Sequence, residues 1–243
     1  MSIAGAVAQT SAARRSADWK IFPYQPLRSL APNLWQVPGT LAVGLPRNMT
    51  VYRLPDGRLL LYSVVAMRDE GMDALEALGR PAIMVMPHDR HGMDAPFYKQ
   101  RYPELRVVAP DPAHPRTVPV DGDLAELAAL GITAYTLPGT SYHEAVLELP
   151  IEDGIALCTT ELMGNISGLR GLKGALMHLL GPTGGGFGVA RMVKWREVRD
   201  RQRVRSWLQS LAERPELRMV LVGHGDPVTQ DAGAALRHAA EQI

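Results

Sequence analysis

Residues 83–94 read Ile-Met-Val-Met-Pro-His-Asp-Arg-His-Gly-Met-Asp. The unbroken apolar run from Ala82 to Met86 predicts a buried β-strand, which Pro87 ends. His88 and His91 follow at once, so polar side chains gather where the strand stops. A sheet fixes the backbone at such a point while the following loop leaves side chains free, and functional groups are often found there.

Two further histidines lie at strand ends. His143 comes just before the apolar run Ala145–Leu149, and His224 follows the run Met219–Val222 and lies between two glycines. Imidazole is the commonest protein ligand for zinc, and the glycines allow the sharp turn that would bring the ring toward a site. The pattern predicts one shared metal site, with unrelated solvated loop histidines as the alternative. Nearby acids that could take part are Asp89, Asp94, Glu144, Glu161 and Asp226.

The rest of the chain alternates short apolar runs with turns. Met49–Leu54 and Leu59–Val65, separated by Pro55-Asp56-Gly57, predict a β-hairpin. Arg196–Glu213 predicts a long amphipathic helix. Gly184-Gly185-Gly186 predicts a flexible loop, because no phosphate-binding motif follows a strand. Two antiparallel-leaning sheets covered by helices fit this order better than a strict βαβα repeat.

Composition narrows the class of protein. Hydrophobic residues make up 46% of the 243 residues and charged residues 21%, which indicates a globular chain. The 26 basic and 25 acidic residues leave a net charge of +1, so no nucleic acid and no membrane is expected as a partner. Cys158 is the only cysteine, which excludes an intrachain disulfide and a thiolate-rich zinc site.

The chain is expected to form one domain. Residues 23–243 are predicted to form it, and residues 1–22 to be a flexible N-terminal lead-in. The lead-in lacks a basic segment before its short apolar stretch, which argues against a signal peptide. No window approaches the roughly 20 apolar residues that cross a bilayer. A cytoplasmic location is therefore expected.

The stretch 83–94 resembles a degraded form of the metallo-β-lactamase signature, in which a hydrophobic strand leads into His-x-His-x-Asp-His. Leu137-Pro138-Gly139-Thr140 is similar to the later Pro-Gly-His segment, and Ile155–Glu161 to the strand that ends in a bridging aspartate. Val222-Gly223-His224-Gly225 is similar to the loop of the last ligand. With the N-terminal strands, the resemblance covers about residues 26–230 and points to a divergent branch of the superfamily that carries Pro-Asn-x-x-His. It implies an α/β protein of the α+β type: an αββα sandwich of two mixed β-sheets flanked by helices, with its site at one edge.

The departures from the family signature affect how many metal ions the site could hold. If His88 matches the first histidine, Arg90 takes the place of the second, and a guanidinium cannot bind a metal. Alternatively His91 is the retained histidine and His88 replaces the asparagine. Thr140 stands where a histidine is expected, although His143 lies three residues on. The resemblance therefore implies a reduced, mononuclear site rather than a two-metal site.

The resemblance also implies site residues and an activity. His91, Glu161 and His224 are the expected metal ligands, with His88 or His143 as a fourth ligand or a proton shuttle, and Glu161 and His88 as catalytic candidates. The metal would be zinc, or else iron or manganese. It would activate water against an ester, lactone, amide or phosphoester bond of a small-molecule substrate. The alternative is a non-catalytic binding or scaffold protein that keeps the fold and has lost the metal. The oligomeric state cannot be read from the sequence.

One geometric expectation follows. Since metal–nitrogen bonds are about 2.1 Å long, the nearest ring nitrogens of His91 and His224 should lie roughly 3–5 Å apart. Arg90 should point away from them or pair with an acid such as Asp94.

Overall fold

The computed structural model describes residues 19–114, 116–166 and 186–243. Residues 1–18 of the expected lead-in, and Gly184 and Gly185 of the expected glycine loop, lie outside the described residues. Trp19 and Ile21 pack against the hydrophobic core. Gly186 begins a strand instead of lying in a loop. The domain boundaries stay a prediction.

The first sheet has seven strands, which lie across it in chain order. They are β1 (Arg28–Ala31), β2 (Leu34–Thr40), β3 (Pro46–Arg53), β4 (Leu59–Tyr62), β5 (Pro81–Val85), β6 (Arg106–Ala109) and β7 (Gly122–Asp123). The pairs from β1 to β4 are antiparallel and those from β4 to β7 are parallel. The hairpin expected around Pro55-Asp56-Gly57 is confirmed, since β3 and β4 pair across it.

The second sheet has four strands in the order β13-β10-β9-β8. They are β8 (Thr133–Thr136), β9 (Ala145–Ile151), β10 (Gly154–Thr159) and β13 (Leu217–Val222). β13 runs parallel to β10, and the other two pairs are antiparallel. β11 (Met163–Ile166) and β12 (Gly186–Val189) form a separate two-stranded ribbon. Both main sheets are therefore mixed.

Among the described residues, five α-helices accompany the sheets. They are α1 (Asp69–Leu78), α2 (Ala95–Arg101), α3 (Arg191–Arg196), α4 (Arg201–Ala212) and α5 (Ala232–Gln242). The expectation of one helix from Arg196 to Glu213 is wrong at its start. The carboxylate of Asp200 accepts a hydrogen bond from the Arg203 backbone N–H and caps α4 there. None of these helices is long and apolar enough to cross a membrane.

Three apolar layers hold the sandwich together. In β4, Leu60 and Tyr62 face the second sheet, while Leu59 and Leu61 face α1 and α2, because successive strand residues point to opposite faces. Cys158 is buried between the two sheets as a free thiol. α3, α4 and α5 cover the outer face of the second sheet. This arrangement confirms the αββα sandwich.

The site-bearing loops meet at one edge of the sandwich. His91 follows β5, Glu161 follows β10 and His224 follows β13. Backbone hydrogen bonds join the sheets there: Asn48 donates to the Gly223 carbonyl at 2.9 Å. The fold thus brings together residues that are up to 133 positions apart, as the interval from 91 to 224 shows.

Candidate metal centre

His91, Glu161 and His224 form a compact cluster. His91 Nε2 lies 3.0 Å from Glu161 Oε1, and His224 Nε2 lies 3.9 Å from the same oxygen. The ring centroids are 5.2 Å apart, and one ligand atom from each residue lies within 4.8 Å of the others. The two histidines therefore converge as the sequence led us to expect.

Backbone carbonyls and Asn48 fix the position of His224. Its Nδ1–H donates to the Pro46 carbonyl at 2.7 Å, which leaves the Nε2 lone pair facing the cluster. The Asn48 side-chain amide donates to the carbonyls of Val222 (2.9 Å) and Gly225 (2.6 Å). The loop that carries His224 is thereby tied to β3.

The ring of His91 is held by Ser63. Ser63 Oγ lies 2.8 Å from His91 Nδ1, so Nε2 is the nitrogen that faces Glu161. Ser63 has a φ of 59°, in the left-handed region that residues other than glycine rarely adopt. Such strained backbone clusters at functional sites, where the surroundings hold it in place.

The charges of the cluster suit a cation. Burial alone would raise the pKa of Glu161, but His224 and His91 outweigh it and hold that pKa well below its usual range. Burial lowers the pKa of His91, and the Glu161 carboxylate overcomes burial to raise the pKa of His224. Two oriented imidazoles and an ionised carboxylate could supply the three protein ligands that a mononuclear site with one open position needs. The residues fit a metal.

The cluster opens onto a cavity of about 180 Å³. Leu41, Leu45 and Met192 give it apolar walls, while Arg47 and Arg90 add positive charge. Ligand pockets combine apolar walls with a few placed polar groups in this way. The cavity has the size of a small ligand or of the reactive end of a larger one.

Arg90 lies against the cluster instead of away from it. Its Nη1 donates to Glu161 Oε2 at 3.2 Å and its Nη2 to Glu197 Oε1 at 3.3 Å, and its side chain is half exposed. The suggested pairing with Asp94 is wrong, because the buried Asp94 carboxylate is occupied by Arg47 and by the Ala66 N–H. Arg90 does pair with an acid, but with a candidate metal ligand.

Replacing Arg90 with glutamine is expected to raise the affinity for zinc about tenfold, since a nearby fixed positive charge opposes a cation and competes for Glu161. The change is measured by competition with a chromogenic chelator. Arg90→Lys keeps the charge and is the control, with an affinity near that of the unmodified protein. Equal affinities for all three proteins would mean that Arg90 does not oppose the metal.

The structure does not bring His88 or His143 into the cluster. The His88 ring stands edge-on to Tyr142 at 4.9 Å, and its Nδ1 accepts from the Arg90 backbone N–H at 3.3 Å. His143 is exposed and pairs with Asp111 at 3.2 Å. Neither ring joins the donor group found among the described residues, so a role for either as a fourth ligand or a proton shuttle stays a prediction. Of the other candidate acids, Asp89 pairs with Arg116 and His114, and Asp226 lies 3.7 Å from Arg28.

We expect His88 to make the metal-free protein sensitive to acid. Burial lowers its pKa from 6.5 to about 4, with Arg90 and His91 also opposing the charge and Glu161 and Asp89 favouring it. The unfolded chain therefore binds the proton first as pH falls, so stability present above pH 6.5 is lost between pH 6.5 and 4. We expect the free energy of unfolding to fall by about 2 kcal/mol more in the unmodified protein than in His88→Asn between pH 7 and 4.5.

Urea titrations at the two pH values measure this difference. Asparagine keeps an acceptor for the Arg90 N–H and cannot take up the proton. Parallel losses in the two proteins would show that His88 is not the group that titrates.

Several supporting groups had no clear signal in the sequence. Ser63 and the Pro46 carbonyl orient the two rings, but nothing local marks either as a partner of a distant histidine. Arg47 and Asp94 are 47 positions apart, so their buried pairing is a matter of tertiary structure. Glu144 did carry a signal, since an acid that opens an apolar strand breaks the pattern of buried residues.

The fold matches solved metallo-β-lactamases. The DIM-1 metallo-β-lactamase shares 13% identity at a TM-score of 0.60, over 90% of this chain and 99% of that one. The enzyme from Pontibacter korlensis shares 14% at 0.60 (91% and 100%), and that from Erythrobacter litoralis 16% at 0.54 (96% and 100%). No protein-family profile matches the sequence. No curated protein matches it either. At this identity the likeness shows the fold.

Proposed function

From the metallo-β-lactamase fold of this chain, we propose that it is a metal-dependent hydrolase with one metal held by His91, Glu161 and His224. One observation carries the proposal: Nε2 of both histidines converges on a single oxygen of Glu161. Two imidazoles and a carboxylate suit zinc best, and also iron or manganese.

The chain's own residues provide orientation and charge. A bound divalent metal supplies Lewis acidity and a water of lowered pKa. Ser63 and the Pro46 carbonyl keep the two rings in place before substrate arrives. Arg90 faces the cavity and can donate hydrogen bonds to a substrate oxygen as negative charge develops on it. Glu161 acts as a ligand in this scheme, and His88 supports the loop.

The lining of the cavity supports the proposed substrate class. Its apolar walls at Leu41, Leu45 and Met192 suit the carbon skeleton of a small molecule, and the half-exposed Arg90 suits an oxygen-rich reacting group. We therefore propose an ester, lactone, amide or phosphoester of a small molecule as the substrate. The proposed location is the cytoplasm.

A second candidate is a non-catalytic binding protein that uses the same cavity without a metal. The observation in its favour is the ion pair of Arg90 with Glu161, which satisfies the carboxylate without a metal ion. The two candidates differ in one measurable property, the metal content.

The test is metal analysis of protein purified without chelator, followed by hydrolysis assays with nitrophenyl acetate, an acyl lactone and bis-nitrophenyl phosphate. We expect about one metal per chain and hydrolysis that is lost on chelation and restored by zinc. His224→Ala is the control and should lose both. Metal content near zero that added zinc, iron or manganese does not restore would favour the binding protein.

A further inference from the structure

Glu144 is a buried carboxylate without a cation. It is fully buried directly before β9, and no ion pair among the described residues includes it. Its Oε1 accepts from the Thr160 backbone N–H at 2.5 Å, and its Oε2 accepts from the Leu162 backbone N–H at 3.2 Å. Tyr142 Oη donates to Oε2 at 2.8 Å. Burial raises the pKa of the Glu144 carboxyl, and the three donors work against that shift and offset part of the cost of burying the group.

The two backbone donors flank Glu161. Fixing the N–H groups of Thr160 and Leu162 to one rigid carboxylate fixes the backbone from which the Glu161 side chain starts. The contacts of Glu144 with this backbone thus help to set the direction in which the Glu161 carboxylate points.

The same short segment also reaches the other side of the site. The Ala145 N–H donates to the Pro87 carbonyl at 2.7 Å, next to the loop that carries His91. The Ala145 carbonyl accepts from Tyr62 Oη at 2.8 Å, and the residue after Tyr62 is the serine that holds the His91 ring. Residues 144 and 145 therefore contact both the segment that carries Glu161 and Pro87, which precedes the loop of His91.

We propose that Glu144 is a positioning residue of the candidate metal centre. It holds the Thr160–Leu162 backbone so that the Glu161 carboxylate meets the rings of His91 and His224. Glu144 itself does not touch the metal. Its effect on metal affinity rests on the proposed function, while its effect on the metal-free cluster does not.

The chemistry of the contacts requires a carboxylate. Each oxygen of Glu144 meets a backbone N–H, and neither N–H can turn away. Glutamine has the same shape, but its NH₂ would face one of these donors, so one contact becomes a repulsion between donors. Glu144→Gln thus breaks the clamp with almost no change in volume.

Glu148 provides a matched control. It lies on β9, the strand that Glu144 precedes, is buried, and accepts from Arg214 Nη1 at 2.7 Å and Tyr135 Oη at 3.1 Å. These contacts lie away from residues 160–162. Glu148→Gln therefore tests the loss of a buried carboxylate on β9 without any effect on the loop of Glu161.

Zinc affinity, measured by chelator competition, is the first readout. We expect Glu144→Gln to bind zinc at least about tenfold more weakly, as for other groups that orient metal ligands. Glu148→Gln should stay within about twofold of the unmodified protein. An unchanged affinity in Glu144→Gln, or an equal loss in both variants, would overturn the proposal.

The second readout needs no metal. Side-chain ¹⁵N NMR of the metal-free protein reports the environment of Nε2 in His91 and His224, and Glu144→Gln should shift both signals while Glu148→Gln leaves them in place. If the unmodified protein binds no metal, the proposed function fails and these signals still decide the role of Glu144.

Should Glu144→Gln not fold, Tyr142→Phe removes only the third donor and should shift the same signals. Unshifted signals would overturn the proposal.

Discussion

Glu161→Gln is expected to lower the affinity for zinc by at least about 100-fold, or roughly 3 kcal/mol. The carboxylate is the point on which His91, His224 and Arg90 converge, at 3.0, 3.9 and 3.2 Å. Glutamine fills the same space but has no charge, so the two imidazoles would face a metal without an anionic ligand. Isothermal titration of metal-free protein with zinc measures the loss.

The control for this prediction is Glu197→Gln. Glu197 is the other carboxylate on Arg90, at 3.3 Å, but it lies outside the donor cluster. If only the charge near Arg90 mattered, the two variants would weaken binding alike. We expect Glu197→Gln to change the affinity by less than about threefold, as a charge outside the ligand set is screened.

Asp94→Ala is expected to destabilise the fold by about 3–5 kcal/mol, the cost of leaving a buried charge without its partner. Arg47 and Asp94 form an ion pair with side chains only 8% and 2% exposed. Asp94 also accepts from the Ala66 N–H at 2.8 Å, so its loss leaves a second donor unpaired. Urea unfolding followed by circular dichroism measures the change.

Two controls accompany this prediction. Asp73→Ala removes an exposed aspartate from α1 and should change stability by no more than about 0.5 kcal/mol. The double variant Arg47→Met with Asp94→Leu removes both charges and should be more stable than Asp94→Ala, because no buried charge is then left alone. A double variant less stable than Asp94→Ala would contradict this account.

Individual strands and turns could be predicted because local residue patterns indicate them. The apolar run before Pro87 gave a buried strand, and the Pro-Asp-Gly turn between two apolar runs gave a hairpin. The arrangement of two mixed sheets in an αββα sandwich came from the resemblance to a family. The start of α4 was missed because Asp200 caps the helix inside a stretch of charged residues, where the sequence pattern shows no break.

The sequence could predict those site residues that directly follow a strand. His91, Glu161 and His224 each follow a strand, and the sheets bring such positions to one edge. His143 also lies at a strand end, yet its ring turns to Asp111 at the surface. The partners of Arg90, Asp94 and Glu144 could not be deduced, because they depend on which side chains the packed loops bring into contact.

The most direct test of the metal centre is anomalous diffraction from a crystal of the protein grown with zinc. The account predicts a single anomalous peak about 2.1 Å from Nε2 of His91 and of His224 and from a carboxylate oxygen of Glu161. Arg90 should then have released at least one oxygen of Glu161. A map without a peak at these atoms, with Arg90 still bound to Glu161, would contradict the central claim and leave the metal-free binding protein as the better description.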